Sequence, residues 1–193
     1  MFVTEYPCSI VGGLTLGADE NGLAGCWFNN DRYYLDGICE PLERNDDLPV
    51  FQKALRWLDR YFAGDKPCPQ ELPLAPRGTA FQQRVWEALT EIPYGNIVTY
   101  GDVAARVAQL QGKPTSPRAV GGAVGRNPLC VIVPCHRVVG ASGSLTGFGG
   151  GIASKIALLR HEGVDTSTFK VPTKGTALVG KDNRLPWEEQ RVR

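Results

Sequence analysis

Ser116-Pro-Arg118-Ala-Val-Gly-Gly-Ala-Val-Gly125-Arg126-Asn127-Pro128-Leu-Cys130-Val-Ile-Val-Pro134-Cys135-His136-Arg137-Val138-Val139-Gly140 is the densest stretch of the chain. Its first part predicts a helix over 117–125. Ser116 can cap it, and Pro117 suits a first helical position, where no backbone N–H is needed. Tyr100–Val107, with Thr99 as its cap, predicts a second short helix just upstream. The pair reads as a helix-turn-helix whose turn, Leu110–Pro117, is long, polar and Pro-containing. The second helix is made of Ala, Val and Gly, with Arg118 near its start. It lacks the Asn, Gln and Arg array of a side-chain reader of the major groove. An almost sequence-blind helix with one Arg suits minor-groove binding or insertion into stacked bases. Close packing of small residues against another helix accounts for the same composition equally well.

The second part places a Cys beside a His and an Arg, after a short apolar run, Val131-Ile-Val133, that predicts a buried strand. A thiol near cationic groups ionises more readily, and the thiolate is its reactive form. Neighbours in an extended chain point to opposite sides. His136 is therefore expected to reach the Cys135 proton through a water rather than directly. Glu162, past the Gly- and Ser-rich stretch 140–151, is a candidate to orient the imidazole. A buried Cys followed by a capping His is the plain alternative. Pro134 favours the reactive reading by fixing the direction of the thiol.

Further out, the front of the chain reads as strands. Phe2–Ile10, Leu14–Ala18 and Leu23–Phe28 are broken by Gly12-Gly13 and Asn21-Gly22. Apolar residues at helical spacing follow over Leu48–Phe62 and stop at Gly64-Asp65. Prolines at 67, 69, 73 and 76 make 66–78 an extended linker. Thr79 can cap a helix through Leu89, Ile92-Pro-Tyr-Gly-Asn96 is a turn, and Ile152–His161 is a helix ended by Gly163. Val164–Arg193 lacks periodicity and reads as a loosely attached basic tail.

The net charge of +1 hides an asymmetry. Residues 1–70 carry 6 Lys and Arg against 11 Asp and Glu; the remainder carries 15 against 9. A polyanionic partner is expected at the basic back half. No apolar run can span a bilayer, so no membrane association is expected. The opening Met1-Phe-Val-Thr-Glu-Tyr-Pro has no signal-like character. A reducing cytoplasm or a nucleus is expected, with most of the six cysteines buried and reduced. Four of them precede residue 70, but their irregular gaps match no zinc template, and no metal is expected.

The ordered pieces Phe81-Gln-Gln-Arg-Val-Trp86, Ile92-Pro-Tyr-Gly95, Thr99-Tyr100, Arg118-Ala-Val-Gly-Gly-Ala123, Asn127-Pro128, Val133-Pro-Cys-His-Arg-Val-Val139 and His161-Glu-Gly163 resemble the O6-alkylguanine-DNA alkyltransferases, also called methylated-DNA–protein-cysteine methyltransferases. The resemblance runs from about Phe81 to Gly163. The front segment matches the family's N-terminal domain in strand–helix order only. It implies an α/β chain: a small N-terminal α+β, ribonuclease H-like domain (1–65), the linker (66–78), a helical winged helix-turn-helix domain with the DNA-binding and active sites (79–163), and the tail (164–193).

Carried over by position, the resemblance implies that Cys135 accepts the alkyl group. His136 takes its proton through a water, with Glu162 behind it. Tyr100 promotes nucleotide rotation and hydrogen-bonds the guanine. Asn127 braces the turn between the recognition helix and the active site. Arg118 enters the duplex, and Ala119, Gly122 and Arg126 also belong to the DNA-binding set. Cys130, Pro134, Val138, Phe148 and Gly149 line the pocket. In it the carbonyls of Cys135 and Val138 accept from the guanine amino group, and the Gly149 amide donates to O6. The implied partner is double-stranded DNA bearing O6-alkylguanine, met through the minor groove by a monomer without a cofactor.

The sequence departs from that pattern in three places. The turn at 110–117 is longer than in the human-type pattern, Phe148 stands where Tyr is common, and Cys130 stands where Pro is found. The last of these is expected to widen the pocket for larger alkyl groups. Other classes compete with this reading. A non-catalytic binder of alkylguanine would have a Trp in place of Cys135. A Cys-His hydrolase would leave the Arg118 helix without a task. A winged-helix regulator would need side chains that read bases.

Overall fold

The computed structural model describes residues 1–146 and 148–171. Three strands, β1 (Phe2–Tyr6), β2 (Leu14–Asp19) and β3 (Gly22–Phe28), form an antiparallel meander. β1 is shorter than the run Phe2–Ile10 suggests, because Pro7 has no N–H to continue the ladder. A two-residue strand, β4 (Glu43–Arg44), lies parallel beside β1 and gives the sheet order β3-β2-β1-β4. Its side chains are exposed and only its backbone holds it, so no sequence pattern marks it.

Helix α1 (Pro49–Ala63) covers the sheet and ends at Gly64 in the left-handed conformation. Phe51, Ala54, Trp57, Leu58 and Tyr61 are buried along one face, as their helical spacing requires. Each such large apolar side chain contributes about 1.5–3 kcal/mol by leaving water.

Residues 66–78 are not a free linker. Pro69–Glu71 form a short 3-10 turn, the Trp57 indole N–H donates to the Cys68 carbonyl at 2.8 Å, and Leu72 is buried. The backbone then pairs with the edge of β3: Leu23 N–H donates to Pro73 O and Ala75 N–H to Leu23 O, both at 2.8 Å. Prolines exclude helix and central strand, but they leave a carbonyl acceptor free on an edge.

The back half is helical. α2 (Ala80–Thr90) is capped by Thr79, α3 (Tyr100–Gln111) by Thr99, and α4 (Pro117–Val124) by Ser116. α3 runs past the expected Val107, since Ala108 to Gln111 favour helix and Gly112 supplies the left-handed stop. Strands β5 (Val98–Thr99) and β6 (Val138–Val139) pair in parallel, and α5 (Gly151–His161) closes the domain.

One apolar core joins the two halves. Leu16, Phe28 and Leu58 from the front meet Val85, Leu89, Val107, Leu129 and Ile132 from the back. The tail is attached at its start, through Leu145 N–H to Lys170 O at 3.0 Å and Lys170 N–H to Gly143 O at 2.9 Å. The rest of the expected loose tail, 172–193, lies outside the described residues.

All six cysteines are free. Cys26, Cys130 and Cys135 are buried, whereas Cys8 is half-buried and Cys39 and Cys68 are exposed, so burial holds for three rather than most. Among the described residues no group of three or more His, Cys, Asp or Glu is placed to hold a metal ion. No helix there is long and apolar enough to cross a membrane.

Candidate active site

Helix α4 buries Val120, Ala123 and Val124 against α2 and α3, and the Trp86 indole donates to Ala123 O at 2.9 Å. Arg118, Ala119 and Gly122 face solvent. A Cβ at position 121 would lie 3.8 Å from the Tyr100 ring, whereas one at position 122 would meet open space. The helix therefore satisfies both readings of its composition: one face packs closely, the other is smooth and carries Arg118. Arg126 stands apart from that face. It stacks 5.0 Å from the Tyr33 ring centroid and pairs with Asp36 at 3.1 Å.

Val131-Ile-Val133 is a turn and not a strand. Val131 has a φ of 71°, Val133 N–H donates to Leu129 O at 2.8 Å and Ile132 N–H to Cys130 O at 2.9 Å. Asn127 makes this possible. Its amide donates to Val133 O at 2.8 Å, and its carbonyl accepts from Leu129 N–H at 3.0 Å. Buried β-branched residues leave the same sequence signature in a strand and in a packed turn. The turn is anchored on the sheet, since Cys26 and Cys130 exchange backbone contacts along β3: Cys26 N–H to Pro128 O at 2.7 Å, Cys130 N–H to Cys26 O at 2.8 Å.

Pro134 is accordingly not a strand end but the cap of a 3-10 turn, Cys135–Arg137. The alternation of an extended chain does not apply there. Cys135 and His136 diverge because a 3-10 turn rotates about a third of a circle per residue.

Glu162, just past α5, is the centre of the site and its side chain is fully buried. It accepts from His136 Nε2 at 2.7 Å, Tyr61 Oη at 2.7 Å, Arg137 Nε and Nη2 at 2.9 Å and Gly95 N at 2.9 Å. Burial opposes ionisation of this carboxyl. The hydrogen bonds from His136 and Arg137 and the Arg137 charge together outweigh it and hold the group far below the usual carboxylate range. Burial dominates at His136 and lowers its pKa against the pull of Glu162, so the imidazole is neutral. A neutral ring 2.7 Å from a carboxylate must carry its proton on Nε2. Nδ1 is then the acceptor, and it is buried without a protein partner among the described residues.

Cys135 is 3% exposed. A hydrogen bond from Cys130 lowers its pKa most. Burial opposes this, and the Asn127 amide and the Lys155 charge add to the lowering. Lys155 is a residue that sequence reasoning missed. It is fully buried on α5, donates from Nζ to Val138 O at 2.5 Å and to Thr146 O at 3.3 Å, and burial pulls its pKa down to about 8. Its signal was available, because helical spacing from Ile152 to Leu158 and Leu159 puts position 155 on the buried face. Arg137, expected as a cation beside the thiol, pairs instead with Glu162. Tyr61 and Gly95 were missed as well, as they join the site through Glu162 from distant parts of the chain.

Tyr100, Val138 and Phe148 are linked through Thr146 and Lys155. Tyr100 Oη donates to Thr146 O at 2.6 Å, and burial followed by the thiol's charge keeps the phenol protonated. Phe148 is buried edge-on against Phe28, with Lys155 Nζ 5.8 Å from its ring centroid. The Val138 carbonyl takes the Lys155 ammonium on one lone pair, and the Gly149 carbonyl accepts from Arg32 N at 3.2 Å.

A buried, acidified thiol beside a neutral imidazole, behind a smooth helix with one Arg, defines a cysteine-based transferase built on a helix-turn-helix. Two family models match the chain: 6-O-methylguanine DNA methyltransferase, ribonuclease-like domain, over residues 1–76, and its DNA binding domain over residues 80–164. The methylated-DNA–protein-cysteine methyltransferase of Haemophilus influenzae is 44% identical over 162 residues, 84% of this chain and 86% of that one. The protein of the same name from Methanosarcina acetivorans is 43% identical over 155 residues, 80% and 94% of the two chains. The fold superposes on the crystal structure of Mycobacterium tuberculosis OGT in complex with DNA with a TM-score of 0.70 at 41% identity, covering 84% of this chain and 93% of that one. The chain belongs to the 6-O-methylguanine DNA methyltransferase family.

Glu162→Gln is expected to destabilise the protein by about 3–5 kcal/mol in urea unfolding, because it leaves Arg137 buried without its counter-charge. The folded-state pKa of Glu162 is depressed. Its contribution is therefore present above the ordinary carboxylate pKa of about 4.3 and is lost as pH falls toward the folded value. The difference between wild type and variant should narrow on acidification.

Proposed function

We propose that the chain binds DNA through the minor groove as a monomer, rotates O6-alkylguanine out of the helix, and takes the alkyl group irreversibly onto Cys135. Family membership makes it a DNA-repair methyltransferase of the methylated-DNA–protein-cysteine type. The observation that carries the finer reading is the set Cys135, His136 and Glu162. The thiol is acidified, and the only free lone pair of the adjacent imidazole, Nδ1, belongs to a ring whose other nitrogen is committed to Glu162.

The reaction is an in-line displacement at saturated carbon. The Cys135 proton passes through a water to His136 Nδ1, and the sulfur attacks the alkyl carbon. The carbon–O6 bond breaks with its electron pair going to the guanine. That oxygen is a poor leaving group unless hydrogen bonds spread its charge. Tyr100 serves here by exchanging its bond to Thr146 O for one to the base. The Val138 carbonyl has a second lone pair for the guanine amino group. The product is a thioether with no acyl carbon for water to attack, so each molecule reacts once.

Inside a duplex the alkyl group cannot reach a buried thiol, and extruding the nucleotide costs a few kcal/mol. Arg118, exposed at the start of α4, is suited to fill the space left in the stack. The smooth face at Ala119 and Gly122 lets the helix lie close to the groove. The six unpaired cysteines suit a reducing cytoplasm.

Incubation with a duplex carrying one O6-methylguanine should add about 14 Da, mapped by peptide mass to Cys135 and never exceeding one methyl per chain under excess DNA. Cys135→Ser should gain nothing. Tight lesion binding without a mass gain would replace this reading by non-catalytic damage recognition. Arg118→Ala should slow transfer from duplex DNA by about tenfold or more, the equivalent of roughly 1.4 kcal/mol. Transfer from the free base O6-benzylguanine should change far less. Equal losses on both substrates would remove Arg118 from base extrusion.

A further inference from the structure

Lys155 takes no part in the displacement itself, yet it is 0% exposed on α5. Its amine only donates. Among the described residues two backbone carbonyls receive it, Val138 O at 2.5 Å and Thr146 O at 3.3 Å. The Phe148 ring centroid lies 5.8 Å from Nζ. A methionine would fill this site without the desolvation cost of an ammonium, and lysine is rarely found so deep.

Thr146 O is shared. Tyr100 Oη donates to it at 2.6 Å, so the phenol holds the short bond and Lys155 the long one. The two donors come from different elements, Tyr100 from the start of α3 and Lys155 from α5. The backbone around them is tied down. β5, which leads into Tyr100, pairs with β6 through Val98 with Val138 and Thr99 with Val139. Gly140 N–H donates to Ser144 O at 2.8 Å and closes the turn that leads on to Thr146. Val138 O and Thr146 O thus flank one closed turn, and a single nitrogen reaches both. A phenol has one hydrogen to give. When Tyr100 gives it to a base, Thr146 O loses its short bond, and a carbonyl left without a donor in a half-buried place opposes that move. Lys155 needs to close by only about 0.4 Å to bring its own bond to the usual length.

Resting on the reading of Cys135 as acceptor and of Tyr100 as donor to the base, we propose that Lys155 is a positioning residue: it takes over Thr146 O when Tyr100 turns to the alkylated guanine. The phenol is then released without leaving a bare carbonyl behind it. No covalent bond changes in this step. The bond from Tyr100 Oη to Thr146 O is given up, and the bond from Lys155 Nζ to the same oxygen shortens. The bond to Val138 O persists, and that oxygen keeps a lone pair for the guanine amino group.

The test is a double-mutant cycle in the full-length protein. Single-turnover methyl transfer from an O6-methylguanine duplex to Cys135 is followed by peptide mass over a range of DNA concentrations. The limiting rate constant is taken on the alkaline plateau of the pH profile, where a shifted thiol midpoint does not enter. Lys155 that has lost its proton there still has two hydrogens, one for each carbonyl. Lys155→Met keeps the length and removes the donor. It should lower the limiting rate constant roughly tenfold or more and change the half-saturating DNA concentration less than about twofold. Tyr100→Phe should lower the rate constant on its own. In that background no phenol is left to release, so Lys155→Met should cost less than about threefold further. Equal losses in both backgrounds, or a loss confined to the half-saturating concentration, would overturn the role of Lys155. Should Lys155→Met fail to fold, Lys155→Gln, which keeps a polar group on a shorter side chain, gives the same cycle with the same expected direction. Wild-type protein that methylates Cys135 while the cycle is additive would overturn the role of Lys155 alone. Wild-type protein that gains no methyl on Cys135 would overturn the acceptor assignment on which that role rests.

Discussion

The buried carboxylate of Glu162 is the constraint on which the rest of the site depends. It draws hydrogen bonds from α1 through Tyr61, from the turn after α2 through Gly95, and from the thiol turn through His136 and Arg137. A charge so deeply placed is tolerated only because every approach to it is a donor and one donor is cationic. The same bonds settle the imidazole. With Nε2 bound to the carboxylate and the ring kept neutral by burial, Nδ1 can act only as an acceptor. One residue thus ties the two halves of the chain together and fixes the protonation state that the thiol chemistry requires.

The sheet has a complementary task. β3 is an edge strand, and its free backbone groups are taken by two segments of the chain, the linker at Leu23 and the thiol turn at Cys26. The turn can therefore be irregular, with Val131 at positive φ, without leaving buried amides unpaired. The N-terminal half is in this respect part of the candidate site: it supplies the edge that holds the turn and the Tyr61 hydroxyl.

Features whose chemistry is local were legible in the sequence. The caps Thr79, Thr99 and Ser116, Pro117 at a first helical turn and the glycine stops at 64 and 163 stand where their side chains or their lack of one require. The cluster around Cys135 was legible as residue types in order. What escaped was set by tertiary partners. Val131–Val133 folds as a turn because Asn127 closes it, and β4 exists only because β1 offers an edge. The partners Tyr61–Glu162 and Asp31–Cys130 are 101 and 99 residues apart in sequence, and no periodicity connects them. Lys155 was marked by its spacing but masked by its type, since a lysine at a core position of a helix is ordinarily read as solvated.

Glu162 holds His136 as a neutral base with its lone pair on Nδ1. Nitrogen-15 NMR of the histidine side chains between pH 6 and 8 tests it directly. His136 is expected to carry a proton on Nε2 and none on Nδ1 at pH 7 and above, with the pattern lost in Glu162→Gln. A proton on Nδ1 in the wild-type protein, or an imidazolium at neutral pH, would contradict it.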